Sequence, residues 1–418
     1  MEHEIYDIVV IGGGPAGMMA AINASHENNK VCLLERNSSL GQKLLLTGKE
    51  RCNFTSSKDI RGIVEAFGEP KSRFLFSALT QFSNHDVIEF FENRGVEHVV
   101  ERGDRVFPKN GNAISILNAL ETELHKKKVQ ILLNFHVVRV LKKETHFRIV
   151  SEKGPVILTQ KVIITTGGKS YPATGSTGDG YNFAKKLGHT VNPLTPSLVP
   201  LISRDKNIRA LSGLTLKNVN LKIYADDEKV IEVFGEMLFT HFGVSGPIIL
   251  TISKKVYNLL KQGGKVKASI DLKPALEREK LMRRIQREME TIGKKEYKTL
   301  LEDLLPKSLV PLFLTLTHID THRKIGSITK KEKERLVNIL KDFYFKIDDV
   351  LPIESGIVTA GGIEVDEINS KTMESKIVPG LYFAGELIGI DGPTGGFNLQ
   401  KAWSTGYVAG ISATNKNS

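Results

Sequence analysis

The sequence is poor in cysteine and has no long apolar run, and both absences restrict the class of protein. Its 418 residues include two cysteines, Cys32 and Cys52, too few for a disulfide framework and suited to a reducing compartment. There is no Cys-x-x-Cys motif, which argues against a disulfide reductase. No apolar stretch approaches the length of a membrane span, and an apolar strand begins by Ile5, which leaves no room for a signal peptide. We therefore expect a cytoplasmic, globular protein of two or three domains.

The net charge of +11 is confined to one part of the chain. Between Lys254 and Lys346 there are 23 lysines and arginines against 12 acidic residues, so the rest of the chain is neutral. A basic region on a neutral body favours an anionic macromolecule as partner, with nucleic acid the first candidate. The alternative is a lysine-rich surface that is merely solvated.

A glycine-rich turn near the amino terminus carries the strongest motif. The apolar run Ile8–Ile11 predicts a buried parallel strand that leads into a helix over Met18–Asn28. Between them, Gly12, Gly14 and Gly17 form G-x-G-x-x-G. The first glycine makes the turn, the second lets the backbone approach a pyrophosphate, and the third lets the helix pack on the strand. The free N–H groups of the helix would then bind the phosphates.

An acidic residue follows the next predicted strand. The strand Val31–Leu34 ends at Glu35, 23 residues beyond Gly12, where an acidic side chain binds a ribose hydroxyl in dinucleotide sites. The alternative is a glycine-rich turn with an ordinary surface glutamate. The context favours a dinucleotide site.

The remaining pattern predicts an α/β fold with a discontinuous first domain. Strands and helices alternate over residues 1–192 as in a Rossmann-like domain, and the same alternation is predicted again over residues 354–418. Residues 193–273 and 330–353 show β-branched alternation, which predicts an inserted β-barrel-like domain. Residues 274–329 predict a small helical subdomain.

A second glycine-rich region favours FAD over a nicotinamide as the resident cofactor. The strand Leu381–Ala384 precedes Gly385 and Glu386, and the segment Asp391–Asn398 opens a helix that runs to about Gly410. These N–H groups would stabilise the negative charge that a reduced isoalloxazine carries near N1 and C2=O. No second G-x-G-x-x-G follows a strand, so NAD(P)H is expected only as a transient reductant.

Five motifs extend over essentially the whole chain: Gly12–Gly17; Gly41–Lys43 with Thr47–Asn53; Thr165–Gly168; Phe239–Pro247; and Pro393–Trp403. Together they resemble the BaiN/RdsA-like family of NAD(P)/FAD-dependent oxidoreductases, also described as aminoacetone-oxidase-like FAD-binding enzymes. The resemblance implies an FAD domain, a β-barrel-like middle domain and a small helical insert. It also implies one of two activities. One is reduction of a uridine in large-subunit ribosomal RNA to dihydrouridine, which we favour; the other is a reductase or oxidase activity on small molecules, including bile-acid intermediates.

The expected cofactor contacts lie in these motifs and the strand ends. They are Gly12, Gly14, Pro15, Ala16, Gly17, Glu35, Arg36, Lys43, Thr47, Gly48, Arg51, Asn53, Thr166, Gly167, Gly168, Gly385, Glu386, Asp391, Thr394, Gly395, Gly396, Phe397 and Asn398. Lys43, Lys49 and Arg51 would lie near the pyrophosphate or the flavin edge, and the alternative is an exposed basic loop.

Two residues are candidates for the proton donor that uracil reduction requires. Hydride addition at C6 needs a proton at C5, and the thiol of Cys52 beside a flavin is a plausible acid. Its neighbour Arg51 would favour the thiolate, and a buried structural cysteine is the alternative. His241 is the second candidate, with a structural histidine as its alternative. The alternation of His318, Asp320 and His322 lacks a complete ligand set, so we expect a surface strip and no metal site.

Overall fold

A computed structural model describes residues 5–25, 29–48, 50–68 and 70–415. Within these residues the strands are β1 (Ile5–Ile11), β2 (Val31–Leu34), β3 (Thr55–Ser56), β4 (His98–Glu101), β5 (Arg105–Pro108), β6 (Gln130–Leu132), β7 (Val137–Lys142), β8 (Phe147–Ser151), β9 (Ile157–Ile164), β10 (Val191–Ser197), β11 (Leu201–Ile202), β12 (Thr215–Ala225), β13 (Glu228–Thr240), β14 (Gly243–Ser245), β15 (Val266–Asp271), β16 (Phe343–Ile347), β17 (Asp349–Val350), β18 (Val358–Ile363) and β19 (Leu381–Phe383). The helices are α1 (Pro15–Ala24), α2 (Gln42–Leu45), α3 (Ile60–Phe67), α4 (Leu75–Gln81), α5 (Asn84–Glu92), α6 (Ala113–Lys126), α7 (Asp179–Lys186), α8 (Lys206–Ala210), α9 (Pro247–Lys261), α10 (Arg278–Ile292), α11 (Tyr297–Leu304), α12 (Val310–Thr317), α13 (Lys330–Lys341) and α14 (Phe397–Thr414).

The chain divides into two compact units. The first comprises Met1–Ser197 with Ile353–Ser418, and the second comprises Leu198–Pro352. The first unit is built on a sheet in the order β6-β2-β1-β9-β8-β7, with β19 also paired to β9. Strands β1, β2, β6, β9 and β19 run parallel, so their carboxyl ends share one edge. The predicted Rossmann-like domain is confirmed, and the carboxyl-terminal segment belongs to it.

Helix α1 differs from its predicted bounds. It begins at Pro15, because proline suits the first helical turn, and it ends at Ala24 rather than continuing to Asn28. Residues 26–28 of the predicted helix lie outside the described residues. Eight of its ten residues are buried, so its position is set by packing rather than by an amphipathic face.

The second unit contains an antiparallel sheet that closes through one chain segment. Its order is β16-β15-β12-β13-β14-β11-β17, and the two terminal strands, β16 and β17, are separated only by Asp348. This short segment therefore pairs with both edges of the sheet, as in a barrel. Helix α9 was not predicted, because its isoleucine-rich sequence resembles the neighbouring strands.

Helices α10–α13 share one hydrophobic core with this barrel. Leu281, Ile285 and Phe313 are buried in the same cluster as Leu221 and Ile270 of the sheet. The predicted β-barrel-like and helical parts are thus present. Their division into two separate domains stays a prediction. Within the part of the chain described, no helix is both long and apolar enough to cross a membrane.

Candidate functional site

The three motif glycines meet different steric demands. A Cβ at Gly12 would lie 2.7 Å from the carbonyl oxygen of Thr165, and Gly12 has φ +109°. A Cβ at Gly17 would lie 1.8 Å from the carbonyl oxygen of Gly12, so the helix contacts the turn directly. A Cβ at Gly14 would meet no atom of the protein within 4 Å. The backbone at Gly14 therefore borders open space, as a pyrophosphate-binding turn requires.

Glu35 is held beside this turn by two backbone bonds. Its Oε2 accepts a hydrogen bond from the Gly13 N–H at 2.7 Å, and Oε1 accepts one from the Asn37 N–H at 2.8 Å. Each carboxylate oxygen keeps a further lone pair, which is available to ribose hydroxyls. The ribose contact itself stays a prediction.

Helices α1 and α14 run in the same direction side by side, and their N-termini are offset along the helix axis. A Cβ at Gly406 would lie 2.4 Å from the carbonyl oxygen of Ala16, and a Cβ at Gly410 would lie 2.4 Å from that of Ala20. The helices thus run parallel in close contact. Counting back from these contacts, α14 begins about eight residues before α1, which is about 12 Å along the axis. Two positive helix ends are therefore offset by this distance, which suits an elongated anionic ligand such as FAD.

The turn before α14 is fixed by its own side chains. Asn398 donates to the carbonyl oxygens of Gly392 (2.8 Å) and Pro393 (3.2 Å), and its Oδ1 accepts from the Gly392 N–H. A Cβ at Gly396, which has φ +90°, would lie 2.4 Å from the carbonyl oxygen of Thr55. Asn398 therefore shapes the turn, and no side chain among the described residues caps the N-terminus of α14. Among the other predicted contacts of this turn, Gly395 has φ +126° and Asp391 accepts a hydrogen bond from Ser197 Oγ at 2.8 Å. The side chain of Phe397 is buried and that of Thr394 is exposed.

Buried polar atoms without partners support a ligand at this site. The Oδ1 of Asn53, the Oγ1 of Thr166 and the hydroxyl of Tyr181 are buried without a hydrogen-bond partner among the described residues. Such atoms are costly unless a ligand satisfies them. Asn53 and Thr166 are predicted FAD contacts, whereas Tyr181 is not. The unsatisfied Asn53 Oδ1 and the open space at Gly14 fit FAD, whereas Thr166 Oγ1 lies against Gly180 of α7.

Lys43 and Glu386 form an ion pair that the sequence analysis did not foresee. Lys43 Nζ lies 2.8 Å from Glu386 Oε2 and donates to Ser170 Oγ at 2.8 Å. Glu386 Oε1 accepts from the Thr359 N–H at 2.8 Å and would crowd a Cβ at Gly168. Burial acts to raise the pKa of Glu386, but Lys43 and the Thr359 N–H outweigh it, and the net pKa lies below its usual value. Ser170 and Thr359 are therefore site residues that the motifs did not reveal.

Replacing Glu386 by glutamine should destabilise the protein in a pH-dependent way. The folded carboxyl has a pKa below the usual 4.5, so its stabilisation is complete above that pH and is lost as pH falls through the folded value. We expect Glu386→Gln to cost about 2 kcal/mol near pH 7 and less near pH 3.5. Thermal melts of flavin-loaded protein across this range measure the difference. Glu97→Gln, in an exposed pair with Lys109, should change little at any pH. A Glu386→Gln cost independent of pH would contradict the assignment.

Lys401 is a buried cation that sequence reasoning also missed. It is 2% exposed on α14, and its Nζ donates to the carbonyl oxygens of Ile388 and Ile390. It thereby fixes the chain that follows Gly385 and Glu386. The signal was present in the sequence, because Lys401 is the single charged residue of α14, in which 13 of the 18 residues are buried.

The other predicted basic contacts are engaged elsewhere. Arg36 bonds Thr177 Oγ1 at 2.6 Å and Asp179 at 2.9 Å. Arg51 pairs with Glu101 at 2.5 Å and lies over the Phe107 ring. Thr47 donates to the carbonyl oxygen of Leu44, and Gly48 has φ +60°. Lys49 lies outside the described residues. Cofactor contacts by Arg36 and Arg51 would require these pairs to be shared or exchanged.

The two proton-donor candidates lie in different surroundings. Cys52 is fully buried with φ +57°, and burial raises the pKa of its thiol to about 12 although a bond with Thr47 opposes this. Its thiol therefore stays protonated at neutral pH. His241 is exposed in the turn between β13 and β14 of the second unit, where its carbonyl oxygen accepts from Arg209 Nε at 2.6 Å.

Among the described residues, no group of three or more His, Cys, Asp or Glu side chains is placed to hold a metal ion.

A family model described as the HI0933-like protein Rossmann domain matches residues 6–412. The chain belongs to this family. It is an FAD-dependent oxidoreductase, as the motifs predicted. This HI0933-like protein is 30% identical to the 3-dehydro-bile acid delta(4,6)-reductase of Clostridium scindens over 98% of its own length and 99% of the relative's. It is 31% identical to the ribosomal RNA dihydrouridine synthases of Haemophilus influenzae and Escherichia coli, over 97% of both chains in each case.

Solved flavoprotein structures share the fold of this HI0933-like protein. A 3-ketosteroid-Δ4-(5α)-dehydrogenase from Rhodococcus jostii RHA1 matches with a TM-score of 0.54 and 14% identity, covering 100% of this chain and 98% of that one. A flavocytochrome c3 fumarate reductase matches with a TM-score of 0.54 and 16% identity, covering 98% of this chain and 78% of that one. At these identities the likeness concerns the fold alone.

Proposed function

We propose that this protein uses NAD(P)H to reduce a uridine of large-subunit ribosomal RNA to dihydrouridine. The observation that carries the proposal is the basic excess of 11 between Lys254 and Lys346, on an otherwise neutral chain. A small uncharged substrate gives no reason for such a region, whereas an RNA backbone does. The two relatives named ribosomal RNA dihydrouridine synthases support the same substrate. A cytoplasmic location stays a prediction.

The site residues would hold the cofactor and supply the proton. FAD, when bound, would supply the hydride chemistry that joins NAD(P)H oxidation to reduction at C6 of the uracil, and a side chain of this protein would supply the proton at C5. Gly14 and the start of α1 would bind the pyrophosphate, Glu35 the adenosine ribose, and Asn53 and the start of α14 the flavin ring. The target base must leave any stack to reach the ring. Cys52 or His241 would donate the proton.

A small-molecule reductase is the second candidate. The bile-acid reductase of Clostridium scindens is as similar to this chain as the RNA-modifying relatives and matches over nearly its whole length. In that case the FAD site is the same and the basic helices are only a solvated surface. An amine oxidase on the same flavin site, or a flavin-binding protein without turnover, would also leave the basic surface without a role.

An anaerobic half-reaction experiment distinguishes these functions. The flavin is reduced with limited NADPH, and deproteinised ribosomal RNA lacking the modification is added. We expect flavin reoxidation together with dihydrouridine in the RNA, detected by mass spectrometry. RNA that already carries dihydrouridine serves as the control and should leave the flavin reduced. A flavin that stays reduced with both RNAs would contradict the proposal and direct the search to small unsaturated substrates.

A further inference from the structure

Helix α10 has one buried face and an opposite face rich in cations. Leu281, Ile285 and Met289 are buried in the core of the second unit. At 100° per residue, the other side of the helix carries the acidic Glu279 and Glu290. Its cations are Lys280, Arg283 and Arg287, with Arg284 at the flank. We call these four residues the arginine stripe. All four are exposed.

Three of the four cations in the arginine stripe form no ion pair among the described residues, although Glu279 and Glu334 line the same cavity as Arg283. Arg284 pairs with Glu288 at 2.8 Å, but Lys280, Arg283 and Arg287 have no ion pair among the described residues. Some cations elsewhere in the basic segment do have acidic partners, such as Arg278 with Asp342 and Arg323 with Glu332 at 2.5 Å. Burial and the nearby charge of Arg284 lower the pKa of Lys273 although Glu288 opposes this, so Lys273 lies close to Arg284.

The chemistry of this surface favours phosphate over lipid or protein. No large apolar side chain between residues 235 and 343 is exposed in the described chain. A membrane-binding helix needs apolar side chains to insert, and a protein interface needs an apolar centre. Guanidinium groups instead match the geometry of phosphate oxygens. The stripe is about 10 Å long, which matches about three successive phosphates of one strand.

We propose that the arginine stripe of α10 binds the phosphate backbone of the RNA substrate. The proposal rests on the proposed function for the identity of the RNA, but it concerns a separate surface. The stripe supplies affinity that does not depend on base sequence, while selection of the uridine belongs to the flavin site.

The test compares two double variants of the holoenzyme, each of which removes two positive charges. Arg283→Ala with Arg287→Ala removes the unpaired centre of the stripe. Lys298→Ala with Lys346→Ala removes exposed lysines that are paired with Glu302 and Asp348. Affinity for unmodified large-subunit ribosomal RNA is measured as salt rises. We expect the stripe variant to bind roughly 10- to 30-fold more weakly near 0.15 M salt, with a salt slope shallower by about 1.5 to 2. The control should change by less than about 3-fold.

The outcomes separate this proposal from the proposed function. Equal affinity of the stripe variant and the control would overturn the proposal even if dihydrouridine forms. Loss of RNA binding in the stripe variant would support it even if no dihydrouridine forms, in which case the proposed function fails alone. Absence of RNA binding by the wild type at low salt would overturn both. If phosphatidylglycerol vesicles bind the wild type through the stripe and RNA does not, the partner is a membrane and the proposal is wrong. Flavin reduction by NADPH should be equal in all three proteins.

Discussion

Gly17→Ala should destabilise the protein and abolish FAD binding, whereas Gly14→Ala should weaken FAD binding alone. The added Cβ at Gly17 would lie 1.8 Å from the Gly12 carbonyl oxygen and 2.6 Å from Thr165 Oγ1. Neither atom is free to move, because Thr165 Oγ1 donates to the Gly12 carbonyl oxygen at 2.9 Å. We expect a cost of about 3 kcal/mol or more in urea unfolding. At Gly14 the protein leaves room for a methyl group, and only the pyrophosphate would meet it.

The two variants therefore separate folding from cofactor binding. Gly14→Ala should unfold like the wild type without cofactor, while its FAD affinity falls at least about 100-fold, or about 2.7 kcal/mol. Gly103→Ala lies in the turn between β4 and β5 with no neighbour within 4 Å, but its φ of +79° makes alanine cost some stability there. It is a control for backbone strain alone and should retain full flavin content. If Gly14→Ala binds FAD as tightly as the wild type, the pyrophosphate does not contact this turn.

The sequence predicts those parts of the site that depend on a short, local pattern of residues. The turn glycines follow from a local pattern, and the strand Val31–Leu34 was predicted with the bounds that the structure shows. By contrast, Lys43 and Glu386 are 343 residues apart, and their pairing depends on how the carboxyl-terminal segment joins the first sheet. No local pattern contains that information.

Helix α9 shows a second limit of the sequence patterns. Ile248, Ile249, Ile252 and Val256 are buried at helical spacing, yet β-branched residues of this kind are also typical of strands. Because strands β12–β15 lie on both sides of this segment in the sequence, the pattern predicted a continuous run of strands here. Pro247 was the local signal for a helix start, since proline is favoured in the first turn.

Cys52→Ala should slow the transfer from reduced flavin to RNA by about 10²- to 10⁴-fold without slowing flavin reduction by NADPH. This result is expected if Cys52 is the proton donor of the proposed reaction. Only the second half-reaction needs a proton at C5 of the uracil. Burial raises the pKa of the thiol to about 12, so Cys52 is protonated at the working pH but is a weak acid, and the donor role requires the buried side chain to reach the base. Stopped-flow measurement of both half-reactions gives the two rates separately.

Cys32→Ala is the matched control, since Cys32 is also fully buried but lies within β2. It reports the effect of losing a buried sulfur without losing the candidate donor. If Cys52→Ala transfers hydride to RNA as fast as Cys32→Ala, Cys52 is structural and its left-handed backbone only shapes the turn beside Asn53. His241→Ala measured in the same way then decides whether the imidazole is the donor. A loss confined to His241→Ala would identify the imidazole as the proton donor.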